Sequence, residues 1–178
     1  VDKPNIIFLD IDGVINTTVS PEWNDRIFDQ NSIKFLRMIQ KECNTKFVIS
    51  STWRGDDDYL RFDQMLHVAG LGQMSLFSVD RDIDEKHTEW RTPYISVHSR
   101  GKEIEAWLAK YGDLINNYVI VDDETYDLLG YQLEKVVQTD HWCGITYREY
   151  DAIKRVLGYK NEGMATISEM RKVYQKSK

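Results

Sequence analysis

Short apolar runs alternate with helical periodicities along this chain, and the alternation defines the architecture to expect. Asn5 to Leu9 is a compact apolar run ending at Asp10, and Lys46 to Ser50 carries a second, Phe47-Val48-Ile49. Between them, Asn31 to Cys43 places Ile33, Leu36 and Ile39 at the spacing of one helix face. Asp57 to Ala69 does the same with Phe62, Leu66 and Ala69, closed by Gly70. Ser75 to Val79 predicts a third strand. Ile104, Trp107, Leu108 and Tyr111 follow the i, i+3, i+4, i+7 pattern of a helix, with Gly112 as its stop signal. Tyr118 to Val121 predicts a strand that runs into Asp122-Asp123, and Lys135 to Gln138 predicts a fifth. Thr146-x-x-Glu149 and Thr166-x-x-Glu169 are capping boxes that open two terminal helices.

Strands alternating with helices require βαβ crossovers and a mostly parallel sheet. The expected fold class is therefore α/β, a three-layer Rossmann-like parallel sheet with helices on both faces. No repeat, linker or composition break divides the chain, so residues 1–178 read as one domain. Sheets of this kind bind ligands at the carboxyl ends of their strands, near the point where strand order reverses. Three strand ends here are chemically loaded: Asp10-Ile11-Asp12-Gly13, Ser50-Ser51-Thr52 and Asp122-Asp123.

Composition narrows the partners. The net charge is −6, which disfavours an extended nonspecific nucleic-acid surface. The charge is uneven: Lys154 to Lys178 carries +5, leaving −11 for the remainder. A local basic patch for a phosphorylated polymer is thus compatible with the whole. The longest apolar runs are far shorter than the roughly 20 residues of a bilayer-spanning helix, and the N-terminal residues lack the apolar core of a signal peptide. Cys43 and Cys143 form no disulfide framework and read as small buried or half-buried thiols. A cytoplasmic location is the expectation. The four histidines, His67, His87, His98 and His141, have no metal-ligand spacing and read as surface or packing residues.

Carboxylates converging at strand ends repel one another and call for a cation. All are hard oxygen donors, which selects Mg²⁺. Asp10 and Asp12, two apart, project to the same side while Ile11 points into the fold, and Gly13 permits a tight turn. One carboxylate can then attack while the other moves a proton, and an aspartate nucleophile suits phosphoryl transfer because an acyl phosphate turns over. Ser51 and Thr52 offer hydroxyl donors for phosphate oxygens. Arg100 and Lys102, at the start of the Ile104–Tyr111 helix, offer cations for the developing charge.

The string Asp10-Ile11-Asp12-Gly13-Val14 resembles the first motif of the haloacid-dehalogenase (HAD) superfamily. Ser51 after a hydrophobic strand resembles the second, Arg100/Lys102 the third, and Val119-Ile120-Val121-Asp122-Asp123 the fourth. The longer strings Ile49–Arg54, Arg100–Leu108 and Gln138–Asp140 with Gly144–Thr146 resemble a narrower branch, the HAD domains associated with RNA-repair proteins, over about residues 6 to 158. The resemblance implies Asp10 as nucleophile and metal ligand. It implies Asp12 as general acid and then base, with its backbone carbonyl on the metal. It implies Ser51 on the phosphoryl oxygens, with Ser50 and Thr52 as neighbouring hydroxyls, and Asp122 as metal ligand assisted by Asp123. Arg100 and Lys102 compete for the third-motif cation. Arg54 is either a second cation for substrate phosphate or an ion-pair partner.

An acid at Asp12 suits an oxygen leaving group rather than a halide, which favours a phosphatase over a dehalogenase. The gaps between motifs leave room for a small cap or none. The open site that follows admits a nucleotide or a 3′- or 5′-phosphorylated nucleic-acid end. The expected activity is an Mg²⁺-dependent phosphomonoesterase passing through an aspartyl-phosphate. A small-metabolite phosphatase is the alternative, and a phosphoacceptor or binding module without turnover is a further one. Trp23, Trp53, Trp90 and Tyr94 read as packing residues or as stacking partners for a base, Trp107 reads as core, and the loop Glu85 to His98 is the expected specificity element. The sequence leaves the oligomeric state open.

Overall fold

The computed structural model describes residues 2–18, 28–55, 59–72, 75–79 and 88–159. Strand β1 (Asn5–Leu9) is followed by helix α1 (Gln30–Cys43), β2 (Thr45–Ile49), α2 (Tyr59–Ala69), α3 (Arg100–Tyr111), β3 (Tyr118–Asp122), β4 (Val136–Gln138) and α4 (Tyr147–Val156). The four strands form one sheet in the order β2-β1-β3-β4, with all pairs parallel. The order reverses at β1, which sits between the first two crossovers. The crevice for a ligand therefore opens between the ends of β1 and β3, where Leu9 pairs with Val121.

Strand alternation sorts the core into two layers. Ile7, Leu9, Phe47, Ile49, Val119 and Val121 face one side and pack against buried residues of α1, α2 and α4. Ile6, Phe8, Val48 and Ile120 face the other and pack on Ile104 and Trp107 of α3. Trp107 meets Phe8 edge-on at 5.1 Å and Phe77 at 5.4 Å, which seats α3 on its side of the sheet. Helices thus cover both faces.

Local chemistry sets the helix ends. The Asp29 carboxylate accepts from Ser32 N at 2.7 Å and starts α1, and Asn44, left-handed at φ 44°, ends it. The Thr146–Glu149 capping box forms as the sequence predicts and opens α4. Its counterpart at Thr166 lies outside the described residues. Gly112 follows α3, but in a right-handed conformation that carries the chain into a 3₁₀ turn rather than a left-handed stop.

The expected strand at Ser75–Val79 does not form. It contributes a single parallel bridge, Leu76 to Phe47, and at Val79 the backbone N–H turns to the Glu89 carboxylate at 3.0 Å instead of to the sheet. A second segment takes over the same edge: Ile49 N donates to Trp90 O and Thr92 N donates to Ile49 O. Two separate rungs therefore cover the free edge of β2. Of the two thiols, Cys43 is buried as expected, whereas Cys143 is exposed. No described helix is long and apolar enough to cross a membrane.

Candidate active site

Three strand ends deliver the site. Asp10 follows β1, held by its backbone N–H on Val121 O at 3.0 Å, and Asp122 closes β3 beside it. Ser50 and Ser51 follow β2, both buried. The carboxylate oxygens of Asp10, Asp122 and Asp123 lie within 4.8 Å of one another. The Arg100 guanidinium reaches into this group from the first residue of α3. It lies 3.7 Å from Asp10 Oδ1 and 3.5 Å from Asp122 Oδ2, and donates to Ser50 Oγ at 3.4 Å. The neighbouring hydroxyl, Ser51 Oγ, accepts from Trp53 N at 3.4 Å.

Electrostatics mark this as an under-neutralised cluster. Burial pushes Asp10 up to about 6, against the pull of Arg100. Burial and then the charge of Asp10 push Asp122 up to about 8. One guanidinium does not balance three carboxylates. Hard oxygen donors this close, two of them holding protons well above the normal range, fit a divalent cation such as Mg²⁺.

Asp12 stands apart from that cluster. After β1 the chain turns tightly, with Ile15 and Asn16 N–H groups both on Ile11 O. Gly13 at φ +73° makes the turn possible, and a Cβ there would come within 2.3 Å of Asp123 Oδ2. The Asp12 side chain is consequently aimed at the half-buried Trp53: Trp53 Nε1 donates to Oδ2 at 2.9 Å and Asn16 Nδ2 to Oδ1 at 2.8 Å.

The two candidates for the third-motif cation lie in different places. Arg100 is at the cluster, while Lys102 is exposed on α3 and does not line the adjoining cavity. Asp127 fixes the start of α3, because its Oδ2 accepts from Arg100 N and its backbone oxygen from Gly101 N, both at 3.1 Å. A Cβ on Gly101 would meet Leu129 N at 2.6 Å, so only glycine allows this approach.

Arg54 is an ion-pair partner, and a buried one. Its NH2 donates to Glu103 Oε2 at 2.7 Å, NH1 to Ser51 O and Nε to Thr92 O. Glu103 Oε1 in turn accepts from Ile95 N at 3.0 Å. This network ties the Ser51 turn to the loop that precedes α3. Thr52 is exposed and lines a cavity of about 480 Å³ that begins at Asp10 and Asp122.

Several participants carry no local sequence signal. His141 is exposed, as expected of a surface histidine, yet its Nδ1 lies 2.6 Å from Asp123 Oδ2, which puts it at the edge of the cluster. His98, Tyr126 and Asp127 also line the cavity. Trp90 is 1% exposed and packs on Tyr59 and Phe62, which removes it as a stacking residue, and Trp107 is core as expected. Trp23 and residues 85–87 of the expected specificity loop lie outside the described residues; of the rest of that loop, Tyr94, Ser96, Val97 and His98 line the cavity.

Fold and site together define a parallel α/β domain with an acidic, cation-demanding cluster at the β1/β3 switch point. A sequence model of the family described as the HAD domain in Swiss Army Knife RNA repair proteins matches residues 6–150, and the chain belongs to that family. Membership supports a phosphatase-type function. Comparison with curated proteins and with solved structures finds no match.

Proposed function

We propose that this chain is an Mg²⁺-dependent phosphomonoesterase acting on nucleotides or on 3′- or 5′-phosphorylated nucleic-acid ends. The observation that carries the reading is the buried Asp10 carboxylate, set between Arg100 and the Asp122/Asp123 pair at the floor of an open cavity. An oxygen of Asp10 attacks phosphorus, the ester P–O bond breaks, and Asp12 gives its proton to the leaving oxygen. Asp12 then takes a proton from water, which attacks the phosphorus of the aspartyl-phosphate. Phosphate leaves and Asp10 is restored. Ser51 donates to the phosphoryl oxygens, with Thr52 nearer the mouth, and Arg100 neutralises charge as it develops. Asp10, Asp122, Asp123 and the backbone carbonyl of Asp12 would hold the metal, which when bound supplies charge neutralisation for the phosphoryl group. Trp53 and Asn16 keep the Asp12 carboxyl in place for both proton steps. Arg54 braces the Ser51 turn through Glu103 and the Ser51 carbonyl.

A phosphate-release screen tests this directly, using mononucleotides, 3′- and 5′-phosphorylated oligonucleotides and sugar phosphates with Mg²⁺. Release from the nucleotide or oligonucleotide substrates supports the reading. Release confined to sugar phosphates supports a small-metabolite phosphatase instead. A stable protein-bound phosphate without release supports a phosphoacceptor module.

A further inference from the structure

The cavity does not end at the phosphate-sized floor. It continues to a mouth walled by Tyr94, Val97, His98 and Tyr126. Tyr94 is 70% exposed and Tyr126 65%, yet Tyr126 is not free to rotate. Its hydroxyl is hydrogen-bonded with His98 Nδ1 at 2.8 Å. The two rings sit 5.4 Å apart, tilted by 57°. His98 itself stands at φ +57°, a left-handed conformation that a side-chain-bearing residue adopts at a cost. A solvent-facing aromatic ring pinned at its far end, beside a strained histidine, is a pre-organised surface: ordering it on binding costs little further entropy.

The charges of the mouth say what that surface faces. Glu124 and Asp127 line it, and both guanidiniums that border the cavity, Arg54 and Arg100, are already in ion pairs. A second phosphate would meet an anionic wall with no uncommitted cation among the described lining residues. An uncharged planar group meets the tyrosine ring and apolar rim instead.

We infer that Tyr126, braced by His98, is the stacking platform of a leaving-group subsite that takes the nucleobase of a nucleoside monophosphate while its phosphate lies at Asp10. The inference rests on the hydrolase reading for the placement of the phosphate, but the base platform is a binding property and is measurable without turnover. Base–aromatic stacking contributes about 1–3 kcal/mol per base, so the preference for a base-bearing ligand should be roughly tenfold or more.

The experiment compares adenosine monophosphate with ribose 5-phosphate as substrates by kcat/KM with Mg²⁺, and adenosine with ribose as ligands by calorimetry. Wild-type protein, Tyr126→Ala and Tyr126→Phe are used throughout. The expected result is a wild-type preference of about tenfold or more for the base-bearing member of each pair. It collapses toward unity in Tyr126→Ala and is retained largely in Tyr126→Phe, which keeps the ring. Equal handling of both members by the wild type, or a preference that Tyr126→Ala leaves intact, overturns the subsite. Absence of turnover on every phosphate, with adenosine still bound through Tyr126, overturns the hydrolase reading and upholds the subsite.

Discussion

Both oxygens of the Asp12 carboxyl accept an N–H, one from Trp53 and one from Asn16, which leaves this side chain little rotational freedom. Removing the indole donor should therefore damage proton transfer more than substrate binding. In Trp53→Phe, kcat on an alkyl phosphate should fall by about tenfold or more, because a poor leaving group needs the acid. On a nitrophenyl phosphate, whose leaving group departs unprotonated, the loss should stay within about threefold. Equal losses on both would mean that Trp53 only supports the fold. The third-motif pair gives a second test at this scale: Arg100→Ala should cost orders of magnitude in kcat/KM and Lys102→Ala almost nothing, measured on the same ester. The residues that carry these predictions differ in how readable they are. Asp10, Asp122 and Asp123 sit at the ends of apolar runs, so a short window reveals them. Trp53 lies 41 residues from Asp12, and Arg54 lies 49 from Glu103. Such pairs exist only after the sheet has brought the turns together, and no local periodicity encodes them. His141 is hidden for the same reason: it reaches Asp123 from the turn after β4.

At the level of elements, the site depends on where α3 begins. Its first residue is the cation, and its start is held by the Asp127 side chain and backbone because Ser99 provides no side-chain cap. Gly101→Ala should push α3 away from Leu129 and Gln132 and carry Arg100 off Asp10 and Asp122. The expected outcome is a lower melting temperature together with a kcat loss larger than that of Gly112→Ala, a glycine with open space around it. Comparable behaviour of the two variants would contradict this account of α3. Most elements were legible because their apolar period matches one face of a helix or both faces of a buried strand. Ser75–Val79 was not. Its composition is that of a strand, but a strand also needs a partner along its length, and a side-chain contact from Glu89 takes its backbone away after a single rung.

For the molecule as a whole, the acidic cluster is a stability liability that a bound cation would relieve. Burial pushes Asp10 up to about 6 and Asp122 up to about 8 in the fold, above the 3.8 of an unperturbed aspartate. The folded state thus binds protons more tightly than the unfolded chain, and stability declines as pH rises from about 4 toward about 8. Cation binding must displace those protons, so it strengthens with pH over the same window. The rise in melting temperature on adding excess Mg²⁺ should accordingly be larger above pH of about 8 than below about 6. A shift that is independent of pH would argue against metal at these carboxylates. The parallel sheet, its loaded strand ends and the cation they call for were evident from residue order, whereas which carboxylates converge, and how deeply they are buried, only the folded chain defines.

The central claim is that the Asp10 carboxylate accepts the phosphoryl group. The most direct measurement is phosphate release from a nucleoside monophosphate by Asp10→Asn with Mg²⁺, alongside a melting curve. The account predicts no turnover from a protein that melts no lower than wild type, since an amide of the same shape cannot form the acyl phosphate and removes one buried charge. Turnover at the wild-type rate by Asp10→Asn would contradict it.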